Sequence, residues 1–117
     1  MIKPASQLIK EAQDACNCIS ADHAKNMLAD NQPCVLLDVR EPQEVVTSKL
    51  KKAINIPRGL LEMKIQDVCP DPSTRILVHC AGGGRASLAA EVLSKMGYLD
   101  VHAITEKYAI LHKTFNE

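Results

Sequence analysis

The chain has no tryptophan, one phenylalanine and two tyrosines, so its core cannot rest on large aromatic rings and must be built from Leu, Ile, Val, Ala and Met. It also lacks net charge: 14 Lys and Arg balance 14 Asp and Glu. With no block of like charges, neither a nucleic-acid surface nor a polybasic membrane patch is indicated. Apolar runs reach only about five to eight residues, far short of a membrane span, and the N-terminus lacks the basic-then-apolar order of a signal peptide. The expectation is a cytoplasmic protein with neither membrane nor nucleic acid among its partners.

A paired cysteine framework is missing as well. Cys16, Cys18, Cys34, Cys69 and Cys80 are odd in number and scattered, which fits a reducing compartment better than a disulfide scaffold. Cys16-Asn17-Cys18 is too tightly spaced for the usual zinc pair, and the histidines fall at no ligand spacing, so no metal and no cofactor is expected. Cys34 opens the apolar run Val35-Leu36-Leu37 and reads as a small core residue, while Cys69 precedes Pro70 in a turn-rich stretch. At 117 residues the chain is long enough for one domain to bury a core without staples.

What is present is an alternation of short apolar runs with helical patterns, the signature of an α/β fold with a largely parallel sheet. Strands are expected at Val35–Asp38, Ile76–His79 and Asp100–Ile104, with short ones near Cys18–Ile19 and Ala53–Asn55. Helices are expected over Ala5–Ala15, over Ala21–Ala29 behind an N-cap at Ser20, over Pro42–Val46 and over Arg58–Ile65. A further helix begins near Ala86 and stops at Gly97, a natural C′ residue.

The chemistry concentrates in Val78-His79-Cys80-Ala81-Gly82-Gly83-Gly84-Arg85-Ala86-Ser87. Here a strand runs into a helix through a glycine-rich loop that opens with Cys80 and closes with Arg85. Such a loop turns free N–H groups and the positive helix end toward its centre, which favours bound anions and the Cys80 thiolate over its thiol. Gly82, Gly83 and Gly84 are expected to supply positive φ angles and a close-set ring of amides with Ala81. The bland alternative is an ordinary turn beside a buried cysteine. Arg85 is the candidate for holding a bound anion and steadying the thiolate, against a surface arginine at a helix start. Ser87 either donates to the loop or sulfur or simply caps backbone groups. His79 points to the opposite sheet face from Cys80 and reads as a core histidine rather than a base.

Arg40 and Glu44 read as a structural ion pair after the second long strand, and Asp38 as a server of backbone hydrogen bonds. Asp38-Val39-Arg40 should lie near Cys80, because open parallel sheets bind ligands at the carboxyl ends of their strands. Arg58 either faces the same cleft or pairs at the surface. Lys49, Lys51 and Lys52 form either a solvated face or a docking patch for an acidic partner.

These residues resemble the single-domain rhodanese-like sulfurtransferases from about Ser20 to Phe115. Three motifs carry the resemblance: Leu36-Leu37-Asp38-Val39-Arg40-Glu41-Pro42-Gln43-Glu44, Ala53-Ile54-Asn55-Ile56-Pro57, and the cysteine loop with Leu88-Ala89-Ala90, Leu93, Gly97 and Tyr98 behind it. The chain departs from the family pattern at Ser48-Lys49-Leu50-Lys51-Lys52, where a glycine turn and histidine are usual. It departs again at Glu106-Lys107-Tyr108-Ala109-Ile110-Leu111, which keeps only the aromatic of a glycine-aromatic-tryptophan pattern.

The resemblance implies one domain over residues 1–117, with a core of about 18–115 and an N-terminal helix over 4–15. Its fold would be α/β and rhodanese-like: a mostly parallel central sheet of about five strands flanked by helices on both faces. It implies a sulfurtransferase that moves a sulfane sulfur from thiosulfate, through a Cys80 persulfide, to cyanide or a thiol such as thioredoxin, glutathione or a sulfur-accepting protein. The alternatives are a sulfur carrier or a regulatory binding module. The related tyrosine phosphatases and arsenate reductases place one residue more between cysteine and arginine, a ring better sized for a tetrahedral oxyanion.

Overall fold

Strand and helix boundaries follow where hydrophobic period and capping chemistry agree. In a computed structural model, which describes residues 1–116, the strands are β1 (Asn17–Ile19), β2 (Cys34–Asp38), β3 (Ile54–Asn55), β4 (Arg75–His79) and β5 (Val101–Ile104). They pair in the order β1-β5-β4-β2-β3, and every pairing is parallel. Parallel strands must be joined by crossovers, and four helices supply them: α2 (Ala21–Ala29), α3 (Pro42–Thr47), α4 (Leu61–Val68) and α5 (Gly84–Met96), while α1 (Ala5–Ala15) precedes β1 and α6 (Tyr108–Phe115) follows β5.

Alternation along the strands sorts the apolar side chains into two layers. Leu37, Ile76, Val78 and Ala103 face a layer closed by Leu61 and Ile65 of α4 and Ala86, Ala89, Ala90 and Leu93 of α5. Leu36, Leu77 and Ile104 face the other, closed by Ala21 and Ala24 of α2 and Leu111 of α6. Alanine prevails on α5 because the helix lies close against the sheet, where small side chains let backbones approach. The core is thus built mainly from aliphatic side chains, with Tyr98 the one aromatic ring among its buried hydrophobic residues.

Local signals position the ends. The Ser20 hydroxyl oxygen accepts from the His23 N–H at 3.1 Å, and Glu106 Oε1 accepts from the Ala21 N–H at 2.8 Å, so the N-terminus of α2 is satisfied by two side chains. Gly97, with φ of +111°, ends α5 through bonds to the Leu93 and Ser94 carbonyls. The single helix expected over Arg58–Ile65 is instead a 3₁₀ turn, Arg58–Leu60, followed by α4. The Arg58 N–H is taken by the Val39 carbonyl and the Leu60 N–H by Pro57, which tightens the first turn. No helix among the described residues is long and apolar enough to cross a membrane.

Candidate active site

Asp38 and His79 are register partners in β2 and β4, so the chain segments that follow them, Val39-Arg40 and Cys80 onward, emerge together at the carboxyl edge of the sheet. The Val39 N–H donates to the His79 carbonyl at 3.1 Å, extending the ladder to that edge. Cys80 then faces the α5 side, and its residue surface is only 1% exposed. Its Sγ accepts the Gly83 N–H at 3.1 Å and the Ala86 N–H at 3.3 Å. Two amides at the start of a helix therefore converge on one sulfur, an arrangement that favours negative charge there.

One of the three glycines, rather than all three, supplies the special backbone. Gly83 has φ of +96° and sits so close to Thr105 that an added Cβ would lie 3.0 Å from its Cα. Gly82 has no positive φ and open space around it, and a Cβ on Gly84 would meet only the end of the Ile9 side chain. The expectation of positive φ throughout Gly82–Gly84 is corrected accordingly. Gly83→Ala is expected to cost about 2 kcal/mol from the left-handed backbone and the Thr105 contact. Gly82→Ala should stay within about 0.5 kcal/mol. Urea unfolding of the two variants side by side checks the difference.

The loop is tied down from three elements. Ser87, fully buried, donates its hydroxyl to the Gly83 carbonyl at 2.6 Å and accepts from Gln13 Nε2 of α1 at 3.2 Å. Of its two expected roles, the observed one is the backbone bond. The Tyr108 N–H at the start of α6 donates to the Ala81 carbonyl at 2.8 Å. Gln13 and Tyr108 were not singled out as site residues from the sequence, because their contacts to the loop are made across the fold. The only available signal was the aromatic retained at position 108.

Arg85 crosses to α3 rather than standing free. Its guanidinium forks onto Glu44, with Nη1 to Oε1 at 2.7 Å and Nη2 to Oε2 at 3.0 Å. The expected Arg40–Glu44 ion pair is therefore corrected: Glu44 pairs with Arg85, and Arg40 with Asp38. The reason is local. Glu44 is the N3 residue of α3 and also accepts the Glu41 N–H at 2.9 Å, so capping its own helix aims it at the loop. Arg85, and secondarily that backbone bond, lowers the Glu44 carboxyl to about 2.

A depressed carboxylate stabilises the fold above its ordinary range and loses that contribution as pH falls through the folded value. The Glu44 pair should thus stay charged from neutral pH down to about pH 3, with a small stability share because a third of it is exposed. Carboxyl carbon NMR should show Glu44 titrating near pH 2 and, in Arg85→Gln, moving back up toward the ordinary glutamate range.

Beneath the loop, Arg40 folds back onto Asp38, with Nε to both carboxylate oxygens at 3.1 Å and Nη2 to Oδ2 at 2.8 Å. Nη2 also donates to the Ser48 carbonyl at 2.7 Å, and the guanidinium lies 4.1 Å from the Tyr108 ring centroid. Asp38 keeps the expected backbone duty too, accepting the Arg40 N–H at 3.0 Å. His79 is fully buried and stacks on Tyr108 with centroids 6.1 Å apart, on the opposite side of the sheet from Cys80. Burial, opposed by Asp38 and reinforced by Arg40, lowers its pKa, which keeps it neutral. It is a packing residue and no base for the thiol.

The remaining candidates lie elsewhere. Arg58 pairs with Glu62 at 3.0 Å, the surface role of its two alternatives. Lys49, Lys51 and Lys52 are exposed. The other four cysteines are free, and burial pushes each of their thiols up. Among the described residues, Cys80 is the one thiol whose sulfur accepts backbone N–H groups.

Fold and loop together define an α/β protein with a cysteine cradled by amides at the carboxyl edge of a parallel sheet. The family model for the rhodanese-like domain matches residues 20–109, and the chain belongs to that family. It is 35% identical to the thiosulfate sulfurtransferase PspE of Escherichia coli over 65 residues, 56% of this chain and 62% of that protein, so the match spans less than two thirds of the relative's length. The polysulfide-sulfur transferase homodimer of Wolinella succinogenes superposes with a TM-score of 0.76 at 25% identity, covering 91% of this chain and 80% of the other. A Rhodopseudomonas palustris protein described as a possible tyrosine phosphatase superposes with a TM-score of 0.83 over 97% of this chain and 92% of the other. At 23% identity it shows the shared fold alone.

Proposed function

We propose that this chain is a sulfurtransferase in which Cys80 carries the moving sulfur as a persulfide. The observation that supports this most directly is the pair of amides, Gly83 N–H and Ala86 N–H, aimed at Cys80 Sγ. In the first step the Cys80 thiolate attacks the outer sulfur of thiosulfate. A new S–S bond forms on Cys80, the donor S–S bond breaks, and sulfite leaves with its electron pair. In the second step an acceptor, cyanide or a thiolate, attacks the outer sulfur of the persulfide, and Cys80 recovers its thiolate.

Burial of Cys80 favours a small donor and an extended acceptor thiol over a bulky electrophile. Arg85 remains the candidate for drawing in an anionic donor, in competition with Glu44, whose fork it already fills. A cytoplasmic address and thioredoxin, glutathione or a sulfur-accepting protein as acceptor belong to the same reading. The single-domain organisation over residues 1–117 does too.

Intact mass of the reduced protein after incubation with thiosulfate tests the proposal. We expect a gain of about 32 Da, one sulfur atom, on the peptide that contains Cys80, discharged by cyanide. No gain with thiosulfate, mercaptopyruvate or a protein persulfide, or a gain confined to peptides of the other cysteines, would overturn it.

A further inference from the structure

On the opposite layer from Cys80, a surface cavity of about 240 Å³ opens between the end of α2, the Lys51-Lys52 turn and the end of α6. Its apolar lining comes from Leu28, Ala29, Leu36 and Phe115. The single phenylalanine of the chain is thus spent here rather than in the middle of the core. Leu36 belongs to the layer closed by α2 and α6, whereas Cys80 belongs to the α5 layer. The cavity is therefore no part of the site described above, and its occupancy is independent of the sulfur-transfer reading.

Lys51 and Lys52 are the charges of the described lining on which the argument rests. No carboxylate is among the described lining residues. Neither Lys51 nor Lys52 has an ion-pair partner among the described residues. An apolar floor with a few convergent charges at the mouth is the usual composition of a small-molecule site. At about 30 Å³ per water-sized volume, the space holds about eight non-hydrogen atoms, with a charged head left at the opening. We propose that this cavity binds a small amphipathic organic anion, a medium-chain or aryl carboxylate, whose tail lies on Leu28, Leu36 and Phe115 and whose carboxylate meets Lys51 and Lys52.

Both lysines are exposed, so their replacement leaves the core untouched. Octanoate is the probe, titrated into the full chain and followed by amide NMR. We expect saturable one-to-one shifts centred on Leu28, Leu36, Phe115 and the Lys51-Lys52 turn, with a Kd of about 0.1–1 mM for a ligand of this size. The Lys51→Gln/Lys52→Gln double variant and the neutral probe octanol should each bind at least about fivefold more weakly. Absence of saturable shifts, shifts centred elsewhere, or equal binding of octanoate and octanol would overturn the proposal. So would unchanged octanoate binding in the double variant. Broadening of the same signals on raising protein concentration without probe would assign the cavity to a second copy of the chain, and would also overturn it.

Discussion

Asp38→Ala is expected to lower the unfolding free energy by about 3–5 kcal/mol, read as a fall of about 2 M in the urea midpoint. Asp38 is 1% exposed and the Arg40 side chain 5%, so removing the carboxylate leaves a buried guanidinium holding only the Ser48 carbonyl and the Tyr108 ring. Burial opposes the Arg40 charge, and the Asp38 hydrogen bonds and charge more than offset that. The loss is a large share of the stability ordinary domains possess, about 5–15 kcal/mol, and the alanine variant risks failing to fold. Asp38→Asn keeps acceptor oxygen near Arg40 and should lose about half as much. A double replacement, Asp38→Leu with Arg40→Met, should lose less than Asp38→Ala alone, since it removes both charges together. An Asp38→Asn variant within 0.5 kcal/mol of wild type would show the pair to be dispensable.

The consequence reaches the loop because one residue serves both. Tyr108 covers the Arg40 guanidinium with its ring, shares a hydrogen bond of 2.9 Å with Ser48 through its hydroxyl, and holds the Ala81 carbonyl with its N–H. The buried charge pair, the start of α6 and the first turn of the cysteine loop therefore form one connected assembly. Loosening Asp38 should loosen the loop's Ala81 end before its Ser87 end, which is fastened separately through Gln13.

How far the sequence could be read follows from where each determinant lies. The strands were legible because apolar runs such as Ile76-Leu77-Val78 are fully buried on both faces, and buried parallel strands read as continuous apolar runs. The cysteine loop was legible because its parts are contiguous: strand end, glycines and helix start lie within ten residues. Partner choice was not. Four-residue spacing suggested Arg40 with Glu44, but the chain turns between strand and helix there, and the two side chains diverge to Asp38 and Arg85. Gln13 meets Ser87 across a separation of 74 residues, a contact that no local pattern encodes. Glycine roles divided for the same reason: Gly83 is special because Thr105 lies against it, and proximity of that kind exists only once α5 and β5 have packed.

Cys80→Ser is expected to abolish transfer from thiosulfate to cyanide, a fall of at least about 1,000-fold, with stability changed by no more than about 1 kcal/mol. Serine is close to isosteric, so the Gly83 and Ala86 amides keep an acceptor and the loop keeps its shape. An alcohol, however, is not ionised at neutral pH and forms no bond to sulfur equivalent to a persulfide. The other cysteines lack this setting: desolvation raises the thiol pKa of Cys16, Cys18, Cys34 and Cys69, and none of the four opens a helix. Cys18→Ser, at an exposed position, should accordingly retain wild-type rates. Steady-state kinetics of the two variants with both substrates varied gives the answer: parallel double-reciprocal lines for wild type and Cys18→Ser, and no measurable turnover for Cys80→Ser. If Cys80→Ser kept even a tenth of the wild-type rate, the sulfur would have to travel by a route that bypasses the loop, and the amide cradle around Cys80 would be structural.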